Sequence, residues 1–302
     1  MIRTDSVWKA MKFAISASLV LLVVSVVIAG TPGSPGDTTA DRVLGQPDFV
    51  HADANLIDGR GLNLNDFTYV AVDLTASPNH IYVADPGNHG VLAWLSSTGF
   101  ANGAPADFVL GQPDFFGHGN KSSPPNPPRG LAVDSHGNLY VSFSGFGVIE
   151  FDDPIATCSG TFPCAYTGSA HLTFGGQENS NAQLLGSAVG IKVDTADNLW
   201  VADHDNGRVL LFLNPTALGG GTPGTPGSAG DTTADRVLGQ ANFSHVVGNL
   251  LDGRGLGDPI GGALLDAVAV DRGSTPHHLY VARLLAAEKS PFEASLRGTS
   301  SR

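Results

Sequence analysis

"GIKVDTADNLWVADHDNGRVLLF" occupies residues 190–212. It begins with a short run of β-branched and apolar residues ending in Asp194, then crosses the polar stretch "TADN". A second run, "LWVAD", leads through another polar turn to a third, "RVLLF". Short alternating runs bounded by Asp, Asn and Gly read as antiparallel strands joined by tight turns. The same grammar recurs in "YVAVDLTASPNHIYVADPGNHGVLAW" (69–94), "GLAVDSHGNLYVSFSGFGVIEF" (130–151) and "AVAVDRGSTPHHLYVAR" (267–283). The first run of each copy ends in Asp: Asp73, Asp134, Asp194 and Asp271. The aromatic residue of the second run, Tyr82, Tyr140, Trp200 or Tyr280, marks a period of 58, 60 and then 80 residues.

A fourth strand follows three of the copies: "DFVLGQPDF" (107–115), "HLTFGGQEN" (171–179) and "DRVLGQANF" (235–243). Four antiparallel strands recurring at such a period are the signature of propeller blades. No helical periodicity stands out after the N-terminal segment, so the expected class is all-β. The stretch "TPGSPGDTTADRVLGQPDF" (31–49) returns almost unchanged at 225–243, identical at 16 of 19 positions. Its first copy has no three strands before it, and the last unit has no evident fourth. The expectation is that residues 41–49 supply an orphan strand that closes the last blade and removes its edge. Three whole blades and one shared between the chain ends make about four in residues 41–283.

Composition agrees. Gly (39) and Pro (19) are abundant and charged residues make up only 15 %, which suits strands and turns rather than helices or a disordered tail. The net charge is −12, and after residue 12 the only lysines are Lys121, Lys192 and Lys289. An acidic chain without a basic cluster is repelled by phosphate backbones, so nucleic acid is not an expected partner.

The N-terminus carries Arg3, Lys9 and Lys12, followed by the uncharged stretch Phe13–Ala29 and then "TPGSPGD". That is the layout of a secretory signal peptide with cleavage after Ala29. The alternative is an uncleaved hydrophobic helix anchoring the chain in the membrane. Either way residues 1–29 export the remainder, to the medium, the periplasm or the cell surface. Residues 30–40 read as a Gly/Pro-rich linker. Outside the reducing cytoplasm, the two cysteines, Cys158 and Cys164 in "CSGTFPC", are expected to form a local disulfide.

"YVADPGNHGVLAW" and "VADHDNGRVLLF" resemble NHL repeats, in which a strand is followed by Asp, a short turn, Asn and usually Arg. Asp203, Asn206 and Arg208 match in full; Asp85 and Asn88 match with Gly90 in the place of Arg, and "YVSFSGFGVIEF" lacks the signature. The recurring "VLGQPDF" resembles the outer strand of bacterial exported NHL-repeat proteins. The resemblance implies an NHL-type β-propeller over residues 40–283. It usually implies six blades, so about four suggests an incomplete ring, with a complete four-bladed ring the less favoured alternative. Residues 284–302 look foreign to the repeat. Some families resembling this one are lyases or lactonases with a divalent metal at the propeller axis.

The candidate chemistry is sparse. Asp73, Asp134, Asp194 and Asp271 read as turn residues accepting backbone amides rather than metal ligands. Asp85, Asn88, Asp203, Asn206 and Arg208 read as a structural brace for the second turn. Of the ten histidines, His89, His136, His204, His277 and His278 lie in predicted turns, none of the ten belongs to a ligand triad at a known spacing, and Ile57 spoils a calcium loop at 53–61. Asp66 and Asp266 lack a matching set for an axial metal, and no cofactor is implied. The near copies "NLIDGRGL" and "NLLDGRGL" place Asp58 with Arg60 and Asp252 with Arg254 on loops expected on one face. The functional expectation is a binding or scaffold module that presents these loops to a protein, small-molecule or glycan ligand, without catalysis of its own. The alternative is a metal-dependent, lactonase- or lyase-like enzyme.

Overall fold

A computed structural model describes residues 37–51, 58–64, 68–118, 127–143, 145–175, 185, 187–216, 225, 227–244, 256, 265–271, 273 and 278–283. The predicted signal or anchor segment and the tail at 284–302 lie outside these residues. Contacts divide the chain into residues 1–42 and 43–302. In the first unit the Thr39 amide donates to Asp37 Oδ1 at 2.9 Å; everything below concerns the second.

The second unit is all-β; the only helical pieces among its described residues are two single 3-10 turns. Sheet 1 contains β1 (Val70–Asp73), β2 (His80–Asp85), β3 (Gly90–Trp94) and β4 (Phe108–Leu110). Sheet 2 contains β5 (Pro128–Val133), β6 (Leu139–Phe143), β7 (Gly147–Phe151) and, beyond the short β8 (Cys164–Ala165), β9 (Leu172–Phe174). Sheet 3 contains β10 (Ala188–Val193), β11 (Leu199–Asp203), β12 (Arg208–Phe212) and β13 (Arg236–Leu238), and sheet 4 contains β14 (Leu265–Asp271) and β15 (His278–Arg283). Within each sheet these strands pair antiparallel in chain order. The predicted strands therefore form in the predicted order, although each fourth strand is only three residues long.

The sheets stack face to face in sequence order, because their middle strands are apolar on both faces. Tyr82, Ala84 and Phe108 of sheet 1 pack with Leu131, Val141 and Ile149 of sheet 2. The opposite face of sheet 2, through Tyr140, Val148 and Phe174, packs with Val201, Leu210 and Phe212 of sheet 3. Phe174 is fully buried between Tyr140 and Phe212, with ring centroids at 6.2 and 5.0 Å. Ala202 and Val209 then meet Leu265 and Val268 of sheet 4. The first strands come closest. A Cβ on Gly130 would overlap the Val189 carbonyl oxygen, and one on Gly190 would lie 2.6 Å from Ala267 Cα, so adjacent first strands approach backbone to backbone only through these glycines.

Two features depart from the sequence reading. Sheet 1 carries a fifth strand, β8, which belongs to the excursion between β7 and β9 and pairs in parallel with β4. A disulfide joins Cys158 to Cys164 across this excursion. Sheet 4 has, as read from the sequence, the first two strands of its unit among the described residues. Second, the expected orphan strand at 41–49 is not a strand. A strand requires a neighbouring strand in register, and among the described residues no strand pairs with this segment. The segment instead lies against sheet 1: Leu44 packs on the cluster of Trp94 and Val109, and the Val43 amide donates to Asn102 Oδ1 at 3.1 Å.

Candidate functional site

The Asp that ends each first strand builds the turn after it. Asp134 accepts the amides of His136 and Asn138 at 2.8 and 3.0 Å, Asn138 Nδ2 at 2.9 Å and Thr216 Oγ1 at 3.0 Å. Asp194 accepts the amides of Ala196 and Asn198, Asn198 Nδ2 and Trp200 Nε1, all within 3.1 Å. Burial works to raise the Asp194 carboxyl, but the hydrogen bonds from Trp200, Asn198 and the two amides outweigh it and hold it below its ordinary value. Asp73 and Asp271 repeat the motif with the amides of Thr75 and Gly273. In sheets 2 and 3 the carboxylate oxygens are committed to the turn, as expected for structural residues.

These turns frame an open cavity of about 480 Å³ between β1, β5 and β10. One wall is apolar: Val70, Val72 and Leu74 are 53, 41 and 64 % exposed. The other presents Asp134, Ser135, Asp194, Thr195 and Asp197 beside Lys192. The rim is braced across sheets, because Asp197 accepts both the amide and the hydroxyl of Ser135, at 2.8 and 2.6 Å. Near the start of β1, the Tyr69 hydroxyl donates to the Asp266 carbonyl oxygen, linking sheets 1 and 4. His204 Nε2 lies 3.9 Å from Asp266 Oδ1. Asp66 lies outside the described residues.

The turns between second and third strands hold the NHL-like residues. Asn206 Nδ2 and Arg208 Nε both donate to Asp203 Oδ2, at 2.9 and 2.7 Å. In sheet 1, Asn88 Nδ2 donates to Asp85 Oδ2 at 2.7 Å and the Asn63 amide to its Oδ1 at 2.8 Å. Burial pushes the Asp85 carboxyl up. The "VLGQ" motif serves the same turn. Gln112 Nε2 donates to the Asn88 and His89 carbonyls, and Gln240 Nε2 to those of Asn206 and Gly207. The preceding Gly111 and Gly239 both have φ near 88°, a region L side chains rarely enter.

Asp58 and Arg60 stand together: the Arg60 amide donates to Asp58 Oδ1 at 3.0 Å, and Nε lies 3.4 Å from Oδ2. Their contact is with each other, as in a pair that orders its own loop. Asp252 and Arg254 lie outside the described residues. What the two "DGRGL" copies share among the described residues is packing: Leu62 lies over Gly45 and Leu256 over Gly239.

Sequence reasoning missed one cluster. Glu150 on β7, Asp152 just after it and His171 just before β9 bring their ligand-type atoms within 4.8 Å of one another. His171 Nδ1 lies 2.9 Å from Glu150 Oε2 and 3.1 Å from Asp152 Oδ1. Glu150 is fully buried, and burial, followed by the Asp152 charge, pushes its carboxyl up to about 8. The available signal was the glutamate of "VIEF", set against the apolar "VLAW" and "VLLF".

No family model matches the chain, and no curated protein matches it.

Proposed function

We propose that the chain is an exported β-propeller of NHL type that binds a small ligand in the cavity between its first strands. Four stacked antiparallel sheets whose first strands adjoin support the propeller reading. So does residues 43–47 lying on the outer face of sheet 1, where the last strand of a preceding blade would pack. The Asp203–Asn206–Arg208 brace and its glutamine cross-link support the NHL assignment. The Cys158–Cys164 disulfide fits an oxidising, exported location.

The cavity carries the functional reading. Its rim is prebuilt by hydrogen bonds and needs no ligand to hold its shape, and its walls pair an apolar strip with carboxylates and hydroxyls. The complementary ligand has an apolar flank and a cationic or hydroxyl-rich edge. The reading of binding rather than catalysis is supported by Asp134 and Asp194 accepting the hydrogen bonds of their own turns.

Calorimetric titration of the full chain with short basic peptides and neutral oligosaccharides tests this. A binder found in that panel should lose about tenfold or more in affinity with Leu74→Asp and keep it with Arg60→Ala and Arg254→Ala. The reverse pattern would move the site to the "DGRGL" loops and overturn the cavity reading.

A further inference from the structure

The repeat gives an internal standard for the cluster at Glu150. Register pairs β3, β7 and β12 with their fourth strands in the same way. The amides of Asp107, His171 and Asp235 each donate back to the third strand, at Ala93, Glu150 and Leu211 respectively. In sheets 1 and 3 the position is simple. Asp107 Oδ2 accepts the Leu95 amide at 2.9 Å and Asp235 Oδ2 the Leu213 amide at 2.7 Å, beside the apolar Ala93 or Leu211.

Sheet 2 changes all three residues at once. Glu150 replaces the apolar residue, Asp152 the leucine and His171 the aspartate. Each change brings in a side chain able to bind a metal, and one of the two carboxyl groups is fully buried, where its charge is costly unless it is paired. His171 cannot satisfy both carboxylates. The single proton that Nδ1 of His171 can carry is shared between two carboxylates, at 2.9 and 3.1 Å. Glu150 Oε1 is buried with no hydrogen-bond partner, and because it shares a carbon with Oε2, it sits in the same cluster.

We propose that Glu150, Asp152 and His171 form a binding site for a divalent first-row transition ion such as zinc or manganese. Donors bonded at about 2.1 Å to one ion stand roughly 3–3.5 Å apart, and His171 Nδ1 lies 2.9 and 3.1 Å from the two carboxylate oxygens, with all three atoms within 4.8 Å. One imidazole with two carboxylates suits these ions better than calcium, which prefers an all-oxygen shell. The side chains of His171 and Asp152 are 49 and 64 % exposed, so an ion can enter from solvent and keep water on its open side. Asp152 opens the excursion that carries β8 and His171 closes it. An ion here cinches the neck of the excursion that sheet 2 lends to the edge of sheet 1.

The test is titration of the full-length protein with Zn²⁺ and with Mn²⁺, using Ca²⁺ as the contrast. The partner variant restores the repeat, Glu150→Leu with His171→Asp, which sheets 1 and 3 show to be compatible with this strand geometry. The expected result is one transition ion per chain in the wild type, with protection of amides 153–170 from exchange on binding. The double variant should lose more than about 100-fold in affinity, while matching or exceeding the metal-free wild type in thermal stability. Absence of stoichiometric binding at millimolar Zn²⁺ and Mn²⁺, or equal binding by the folded double variant, would overturn the proposal.

Discussion

Arg208 Nε donates to Asp203 Oδ2 at 2.7 Å, and neither side chain reaches solvent. The same guanidinium donates to the Phe243 carbonyl, tying the turn after β11 to the chain beyond β13. Truncating Arg208 leaves a buried carboxylate without its cation, so Arg208→Met should cost about 3–5 kcal/mol. Arg208→Met combined with Asp203→Asn should recover part of that loss, because the stranded charge is gone. Urea unfolding of the two variants measures both. A cost near zero for the single change would show that the pair does not brace the turn.

Gln112 and Gln240 make the same link with different quality. Gln112 is buried and its bonds are 2.8 and 3.1 Å; those of Gln240 are 3.3 and 3.4 Å. Gln112→Ala leaves carbonyls without a donor in a buried turn and should cost about 1–3 kcal/mol, with Gln240→Ala costing less. Thermal unfolding of the two variants gives the order; Gln240→Ala as the more damaging change would contradict it.

The strands were legible because alternation and turn residues are local signals, and the repeat multiplied them. Asp134 and Asp194 could be read as turn residues for the same reason: the partners within their own turns lie within six positions along the chain, although Thr216, which also donates to Asp134, lies 82 residues away. The cluster at Glu150 was not legible, since His171 lies 21 residues away and meets Glu150 only through the register of β7 with β9. The parallel pairing of β8 with β4 was likewise hidden, because "PCAY" carries no strand alternation and takes its edge from another sheet. Residues 41–49 repeat residues 235–243, which contain β13, almost letter for letter, yet they form no strand, because among the described residues no strand pairs with them.

Asp194 should make the stability of sheet 3 sensitive to acid. Its carboxyl titrates lower in the folded protein than in the unfolded chain. The unfolded state therefore takes up the proton first as pH falls, and the stability that Asp194 contributes is full above the ordinary carboxylate range and fades below it. Asp194→Asn should be less stable than wild type at neutral pH, with the difference shrinking below about pH 4. Denaturant unfolding followed by tryptophan emission is suited to this, since Trp200 Nε1 donates directly to Asp194 Oδ2. A difference independent of pH would rule out the carboxylate as the source.

The Cys158–Cys164 bond should matter to sheet 1 as much as to its own loop. It spans a separation of six residues, and closing so short a loop stabilises by about 2 kcal/mol. Cys164 and Tyr166 donate their amides to the Asp107 and Val109 carbonyls, so the excursion covers the outer edge of β4. Tyr166 also packs edge-on against Phe151 and Phe108, with ring centroids at 5.5 and 6.3 Å. Changing both cysteines to serine should therefore speed hydrogen exchange at Cys164→Ser and Tyr166, while the ladder between β11 and β12 keeps its protection. If the amide of Tyr166 exchanges as slowly without the disulfide, the aromatic contacts alone hold β8 on the sheet and the bond adds nothing there.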